Sequence, residues 1–429
     1  MKQSNLKFFI ILMIFVSCDG VFAQNQKQQI ILQESQRLLE LNLFSPLKYD
    51  RGYKWLSVGM GGYLKQYYSR DTFITFKGAR YSSKLKVDLG HAIDWFGEHQ
   101  LSDGYIPIWY RETTPEKDLV DLNMYLTAPY NRSEQEGGMR QVDHVEQFIE
   151  AIYEDYNITK DRVVLERRYI WAEKAWRYLD QLTNDNLITT KRTVYAGPDW
   201  ADQINRSGKA AFVNAYWYHV TALMGEMSDL VAKPEKRDMY KSKAQVIAKE
   251  FNTLFWRKGR PTNCDFDVME YYTAWVDEEA ESGDYFELDS NSLAIAVGLP
   301  DSARRKHLLD QIRENFDYYV NPVGATRVLC GTYHARHGTA QPEMAHNGGY
   351  WYIVSYFLAA ALNRHTNEYG DLLDKLHERT NRAVMDAGNE GLNEWYDFSG
   401  RPLGGKTYSW SIAFPLYLNG IRLQLNTTP

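Results

Sequence analysis

Apolar residues recur at helical spacing along most of the chain, and runs that alternate at strand spacing are scarce. Pro234 and the Pro300-Asp301-Ser302 run stand where helices are expected to begin. The pattern predicts about twelve amphipathic helices, approximately at residues 27–43, 71–81, 83–100, 143–156, 161–182, 209–227, 234–255, 290–297, 302–315, 345–362, 366–386 and 408–423.

The connections between these segments alternate in length. Residues 157–160 and 363–365 are short turns, whereas long connections cover residues 101–142, 183–208, 256–289, 316–344 and 387–407. Long loops without structure of their own are usually functional. We therefore predict an all-α fold, a single (α/α)6 barrel over residues 24–429 whose long loops form the active-site end. An irregular helical solenoid is the alternative.

The first residues have the composition of an export signal. Lys2 and Lys7 precede an apolar run at residues 8–16, which is too short to span a membrane. Val21-Phe22-Ala23 fits a cleavage site, so residues 1–23 are predicted to be a signal peptide and the mature protein to be periplasmic or secreted. Lipidation at Cys18 is the less favoured interpretation. No later stretch is long and apolar enough to predict a membrane span.

Composition narrows the class of partner. The formal net charge is -6 with a pI of about 6.0, which argues against nucleic-acid binding. Aromatic residues make up 14% of the chain, and many lie in the long connections beside Asp, Gly or Arg, as in residues 103–110. Such rings either fill a large core or stack against sugars. We favour a carbohydrate-binding cleft.

Cofactor chemistry has little support in the sequence. No Cys/His cluster has metal-ligand spacing, and His334 with His337 is the nearest approach to one. We therefore expect no metal and no cofactor. Cys264 and Cys330 could form a disulfide in an oxidising compartment, but two isolated cysteines do not establish one.

Four short stretches in or beside the long connections carry candidate chemistry. An Arg70-Asp71 pair opens a helix, and a turn at Asp199-Trp200-Ala201-Asp202 precedes a helix beginning near Lys209. His346-Asn347 and Trp351 open another helix, and Asn393-Glu394-Trp395 is followed by Trp410-Ser411-Ile412-Ala413. Two carboxyls, one protonated and one ionised, are the minimum needed to cut a glycosidic bond. From the residues alone, Asp199 competes with Asp202 and Asp397 with Glu394.

In this order, the stretches resemble the glucosidase domain of glycogen debranching enzymes, with a W-x-D turn followed by an R-x-G-K…N-A-x-W-Y helix. Ala201 and Phe212 depart from that pattern. The final stretch is also similar to alkaline and neutral invertases. The resemblance implies that Asp202 is the general acid and Glu394 the general base. It implies substrate binding by Arg70, Asp71, Asp199, Trp200, Lys209, His346, Asn347, Trp351 and Trp410.

These roles predict an inverting glycoside hydrolase acting on an α-linked, gluco-configured disaccharide or oligosaccharide. Burial should raise the pKa of Asp202, while Glu394 should stay ionised and activate a water molecule. We expect the loop aromatics, including Tyr105, Tyr271 and Tyr272, to enclose the cavity and impose exo-action. A polysaccharide lyase, a sugar epimerase and a non-catalytic carbohydrate-binding protein are the alternatives, and the sequence does not decide the sugar or the linkage.

Overall fold

A computed structural model describes residues 26–40, 43–44, 55–56, 66–82, 85–111, 141–190, 197–262, 268–278, 282–321, 324–328, 333–334, 337 and 341–427. The predicted signal peptide, Cys18, Cys264, Cys330 and most of the 101–142 connection lie outside these residues. No helix in the described ranges is long and apolar enough to cross a membrane.

Twelve helices of ten or more residues occur in the described part of the chain, one for each predicted segment. They are α1 (26–40), α2 (Ser69–Ala79), α3 (Lys86–Glu98), α4 (Asp143–Thr159), α5 (Arg162–Gln181), α6 (Ala211–Leu230), α7 (Pro234–Phe255), α8 (Leu288–Val297), α9 (Ser302–Glu314), α10 (Tyr352–Arg364), α11 (Thr366–Ala387) and α12 (Ser409–Thr427). Asp161 and Asp301 cap α5 and α9 by accepting backbone N–H groups at 3.0 and 2.9 Å.

The even-numbered helices form a closed inner ring. Each contacts the next in the order α2, α4, α6, α8, α10, α12, and α12 returns to α2. The burial pattern agrees, since all eleven residues of α2 are buried, whereas α9 on the outside buries only Leu308, Leu309 and Ile312. The odd-numbered helices therefore form the outer layer. This arrangement is the predicted (α/α)6 barrel.

Among the helices that follow candidate motifs, α6 and α10 begin later than their hydrophobic pattern indicates. Residues Lys209–Ala210 form a strand before α6, and α10 begins at Tyr352 rather than near Ala345. The His346 to Trp351 stretch is therefore a turn followed by a strand, not the opening of a helix. The turn contains Gly348 with φ +108°, a conformation that a helix does not allow.

The connections contain more strand than the sequence pattern predicts. Within the described residues the strands are β1 (Leu43–Phe44), β2 (Trp55–Leu56), β3 (Gln66–Tyr68), β4 (Trp109–Arg111), β5 (Thr183–Asn184), β6 (Leu187–Ile188), β7 (Lys209–Ala210), β8 (Trp256–Gly259), β9 (Met269–Val276), β10 (Gly283–Phe286), β11 (Val320–Asn321), β12 (Gly324–Thr326), β13 (Tyr350–Trp351), β14 (Trp395–Tyr396) and β15 (Pro402–Leu403). All pairings are antiparallel.

Two of the resulting sheets give regular structure to parts of the long connections. One has the order β11-β12-β13-β14-β15, and in it Trp351 pairs with Trp395. The other joins β7, β8 and β10 to β9, so the 256–289 connection is not the unstructured loop that we expected. Strand β9 is buried on both faces and shows no polar alternation, which is why its sequence does not read as a strand.

Candidate active site

A cavity of about 270 Å³ opens among the connections that carry the candidate motifs. It contains both predicted catalytic carboxyls and an aromatic wall. Its lining consists of Tyr68, Arg70, Asp71, Trp200, Asp202, Gln203, Ala345, His346, Trp351, Glu394, Trp395, Gly404, Tyr408 and Trp410. Eight of the eleven residues predicted from the sequence are thus brought together from five separate parts of the chain.

Asp202 lies in a turn that leads into β7 and α6. The Asp199 carboxylate accepts the Ala201 N–H at 3.0 Å, and the Trp200 indole N–H donates to Asp289 at 2.8 Å, so the turn is fixed at two points. The Asp202 side chain is 46% exposed because it opens onto the cavity, and its Oδ1 lies 3.7 Å from His346 Nδ1. Partial burial of the carboxyl among protein groups raises the pKa of Asp202. The positive charge of Arg70 opposes this rise, and the negative charges of Asp143 and Asp199 add to it.

Glu394 is the residue directly before β14, and a turn at Gly404-Gly405 holds its side chain. Its N–H donates to the Gly405 carbonyl at 2.8 Å, and the Gly405 N–H donates to Glu394 Oε2 at 2.9 Å. Gly404 has φ +69°, and a Cβ there would lie 2.8 Å from Glu394 Cβ and 2.5 Å from the Trp395 ring. Only glycine therefore allows this turn to approach the carboxyl so closely.

The protonation of Glu394 differs from our expectation that it simply stays ionised. Burial raises the pKa of Glu394 to about 7, the Gly405 N–H opposes the rise, and the carboxylates of Asp71 and Asp202 add to it. Glu394 therefore exchanges its proton near neutral pH. Such a group can accept a proton from water at neutral pH and release it again afterwards.

Arg70 and Asp71 enter the cavity from the start of α2. The Arg70 guanidinium lies 3.3 Å from the Asp143 carboxylate, and Asp71 accepts a hydrogen bond of 2.6 Å from the Tyr408 hydroxyl. Burial raises the pKa of Asp71 to about 6, against the opposing effects of Arg70 and Tyr408. The pair thus presents a cation and a nearly buried carboxyl, groups that can bind sugar hydroxyls.

The aromatic wall is a packed set of rings. The His346 and Trp351 rings are stacked with centroids 4.6 Å apart, and Trp351 is stacked on Trp395 at 6.0 Å. Trp200 meets Trp351 edge-on at 5.4 Å. Burial holds the pKa of His346 well below its usual range, so its imidazole is neutral. An apolar wall facing a carboxyl-lined side suits a sugar ring, which has apolar faces and polar edges.

Behind Trp200 lies a buried charge cluster, which we define as Asp199, Arg206, Glu287, Asp289 and Arg327. All five side chains are at most 1% exposed. Arg206 donates to Asp199, and Arg327 donates to Glu287 at 2.9 Å. The Arg327 guanidinium also lies 5.0 Å from the centroid of the Trp200 ring. The cluster therefore holds Trp200, and with it the turn that bears Asp202.

Three predicted substrate-binding residues do not line the cavity. Asp199 is part of the buried charge cluster, Lys209 lies 3.5 and 3.7 Å from Glu278 and Asp185, and the Asn347 side chain accepts the Tyr333 N–H at 2.6 Å. Their contacts are structural. Conversely, sequence reasoning did not select Tyr68, Gln203, Trp395 or Tyr408, although Trp395 and Tyr408 adjoin motifs that it used.

The two rival carboxyls have other partners. Although burial alone would raise it, the pKa of Asp199 is held below its usual range by Arg206 and Arg327. Asp397 pairs with Arg401 at 3.0 Å and does not line the cavity. The geometry therefore favours Asp202 and Glu394 over both.

The loop aromatics expected to enclose the cavity are core residues instead. Tyr105, Tyr271 and Tyr272 are at most 1% exposed, and none of the three lines the cavity. Tyr271 and Tyr272 lie in β9, where the Tyr271 hydroxyl donates to Asp284 at 2.7 Å. This group of residues therefore gives no support to exo-action.

Comparison with known proteins identifies the family. A profile described as amylo-alpha-1,6-glucosidase matches residues 46–416, which is most of the chain. This chain belongs to the amylo-alpha-1,6-glucosidase family. It is a glycoside hydrolase, so the lyase, epimerase and binding-protein alternatives are set aside. A search of curated proteins gives no match.

Solved structures agree on the fold. A GH63 mannosylglycerate hydrolase from Thermus thermophilus, in complex with glucose, superposes with a TM-score of 0.63 at 13% identity, covering 91% of this chain and 99% of that one. A bacterial glucoamylase in complex with acarbose gives a TM-score of 0.60 at 12% identity, covering 91% of this chain and 55% of that one. At these identities the likeness concerns the helical barrel alone.

Proposed function

We propose that this enzyme is an exo-acting, inverting α-glycosidase that removes a gluco-configured sugar from a disaccharide or short oligosaccharide. One observation carries the proposal: Asp202 and Glu394 line one cavity together with His346, Trp351 and Trp395. The cavity volume of about 270 Å³ is just below the range of about 300–1,000 Å³ that is usual for small-molecule sites. This size supports binding of one terminal sugar rather than a long stretch of polymer.

In the proposed mechanism, Asp202 is protonated and donates its proton to the glycosidic oxygen as the bond breaks. Glu394 is ionised and takes a proton from a water molecule that attacks the anomeric carbon from the opposite face. Single displacement of this kind inverts the anomeric configuration and requires the two carboxyls to lie roughly 6.5–9.5 Å apart, which leaves room for the water molecule. Arg70 and Asp71 would bind hydroxyls of the terminal sugar, and Gln203 and His346, beside the acid, would face the leaving group.

The experiment is to incubate the enzyme with sucrose and a panel of α-linked glucosyl disaccharides and isomalto-oligosaccharides, and to record proton NMR spectra from the first minutes. For an α-linked glucoside, the first glucose should be the β-anomer and should appear without intermediate-length products. An α-anomer would contradict inversion, and a ladder of oligosaccharides would contradict exo-action.

Variants test the roles of the two carboxyls. Asp202→Asn and Glu394→Gln should each lower kcat by about 10²–10⁴, since positioned acid–base groups contribute that much. Asp397→Asn is the matched control because its carboxyl lies outside the cavity, and it should keep near wild-type activity. A reversed outcome would reassign the base to Asp397.

We also propose that the enzyme is exported, on the strength of the basic and apolar residues within 1–23. Expression with its own N-terminus followed by N-terminal sequencing should give Gln24. Recovery of a diacylglycerol-modified Cys18 would instead indicate a lipoprotein.

A further inference from the structure

Tyr408 occupies a fixed position between two cavity carboxyls. It immediately precedes α12, its N–H donates to the Leu392 carbonyl at 2.8 Å, and its own carbonyl accepts the Ile412 N–H at 3.0 Å. Its ring lies 4.8 Å from that of Trp410, and the residue is 3% exposed. The side chain therefore has little freedom, and the residue lines the cavity.

That hydroxyl interacts with two acids that come from opposite ends of the chain. It donates to Asp71 Oδ1 at 2.6 Å, and Glu394 lines the same cavity, near enough for the hydroxyl to stabilise its carboxylate. Its hydrogen bonds lower the pKa of both carboxyls, against the larger effect of burial. A phenol has a single proton, so it can donate fully to only one of the two carboxylates at a time.

We propose that Tyr408 is a positioning residue that shares its one O–H between Asp71 and Glu394 and so links sugar binding to the ionised state of the base. In the free enzyme the O–H is directed at Asp71. When a sugar hydroxyl donates to Asp71 in its place, the Tyr408 O–H turns to Glu394 and stabilises the carboxylate that must accept a proton from water. The proton stays on Tyr408 throughout.

Other charged groups act on the same two acids and have to be taken into account. Glu394 faces Asp71 on α2 and Asp202 on the turn before α6, and it accepts the Gly405 N–H. Asp71 is also affected by Arg70 and Asp143. Since these charges remain when only the Tyr408 hydroxyl is removed, that substitution isolates its contribution. The inference rests on the proposed role of Glu394 as the base.

The test compares Tyr408→Phe with Tyr356→Phe. Tyr356 is a matched control because its buried hydroxyl donates to the Trp410 carbonyl at 2.9 Å, whereas Tyr408 donates to a carboxylate. The substrate is the α-glycosyl fluoride of the sugar identified by the panel, since fluoride leaves without help from an acid. The pH dependence of kcat then reports the base in the enzyme–substrate complex, the state in which the Tyr408 O–H is proposed to turn to Glu394.

Tyr408→Phe should move the acid limb of kcat upward by about one pH unit, the effect of losing one hydrogen bond to a carboxylate, and so lower kcat by up to about tenfold on that limb. Tyr356→Phe should lower the melting temperature to a similar extent and leave the limb in place. An unmoved limb in Tyr408→Phe, or an equal movement in both variants, overturns the proposal.

Sharing of the Tyr408 hydroxyl leads to a second, independent prediction. In an Asp71→Asn background the O–H has lost its carboxylate competitor in the free enzyme, so Tyr408→Phe should move the acid limb of kcat/KM, which reports the free enzyme, further than it does in the wild type. Equal movements would show that the hydroxyl is not shared.

Glu394→Gln distinguishes a failure of the proposed function from a failure of the proposed role of Tyr408. If it keeps near wild-type activity, the proposed function fails, and if it is inactive while Tyr408→Phe behaves as wild type, only the role of Tyr408 fails.

Discussion

The acidity of Glu394 makes a quantitative prediction about activity and pH. A glutamate in water has a pKa of about 4.5, and burial beside Asp71 and Asp202 raises the pKa of Glu394 to about 7. In the proposed mechanism Glu394 must be ionised to act as the base, so activity should be present above this pKa and should be lost as the pH falls through it. With an α-glycosyl fluoride as substrate, kcat/KM should fall about tenfold for each pH unit below 7.

The expected loss of activity at acid pH differs clearly between a raised and an ordinary pKa of Glu394. At pH 5, a base of pKa about 7 is about 1% ionised, whereas one of pKa about 4.5 would be about 75% ionised. We therefore expect roughly a hundredfold loss of kcat/KM between the plateau and pH 5. For a natural substrate Asp202 must also be protonated, so the profile should be bell-shaped and its two apparent pKa values belong to the pair of acids.

The assay is a series of initial rates of fluoride release at substrate concentrations well below KM and at constant ionic strength. Enzyme held at pH 5 and returned to pH 7.5 must recover full activity, which shows that the loss is a titration and not unfolding. Retention of about three quarters of the activity at pH 5 would refute the argument that burial controls this carboxyl.

Two further comparisons test how the cavity is held in shape. Trp200→Phe removes the indole N–H that the Asp289 carboxyl accepts at 2.8 Å, and Trp176→Phe removes the indole N–H that the Thr221 hydroxyl accepts at 3.0 Å. Each should lower the unfolding free energy by about 1 kcal/mol, and only Trp200→Phe should lower kcat; an unchanged kcat in Trp200→Phe would contradict this. Gly404→Ala should lower kcat at least about tenfold, because the added methyl group would clash with Glu394. The control is Gly370→Ala on α11, where the methyl group has space and should be neutral or slightly stabilising. Wild-type kinetics in Gly404→Ala would show that the turn does not fix the position of Glu394.

The helical barrel could be predicted from sequence because its signal is local and repeated twelve times. Inner helices such as α10 are buried nearly all round and outer ones such as α11 are amphipathic, yet both repeat at helical spacing. The small sheets could not be predicted in the same way. Strands of two to four residues are too short to show a period, and β9, with eight residues, is buried on both faces.

The two catalytic candidates could be found because each sits in a contiguous motif, but the groups that control them could not. Asp289 lies 89 positions from Trp200 in sequence, and Tyr408 lies 337 positions from Asp71. No local sequence pattern predicts that residues so far apart in the chain form a hydrogen bond. The elevated pKa of Glu394 likewise results from burial near Asp71 of α2 and Asp202 of the turn before α6, which only the folded chain brings close to it.

The buried charge cluster shows why this barrel can place an acid beside an aromatic wall. Its three carboxyls outnumber its two guanidinium groups, so with all groups ionised it would carry an excess negative charge with no access to solvent. Burial raises the pKa of Asp289, which allows one proton to be kept and brings the cluster to balance. Asp199 stays ionised, and its charge raises the pKa of Asp202. The cluster thus performs two tasks, since it anchors Trp200 and, in the proposed mechanism, adds to the effect of burial that favours the protonated form of Asp202.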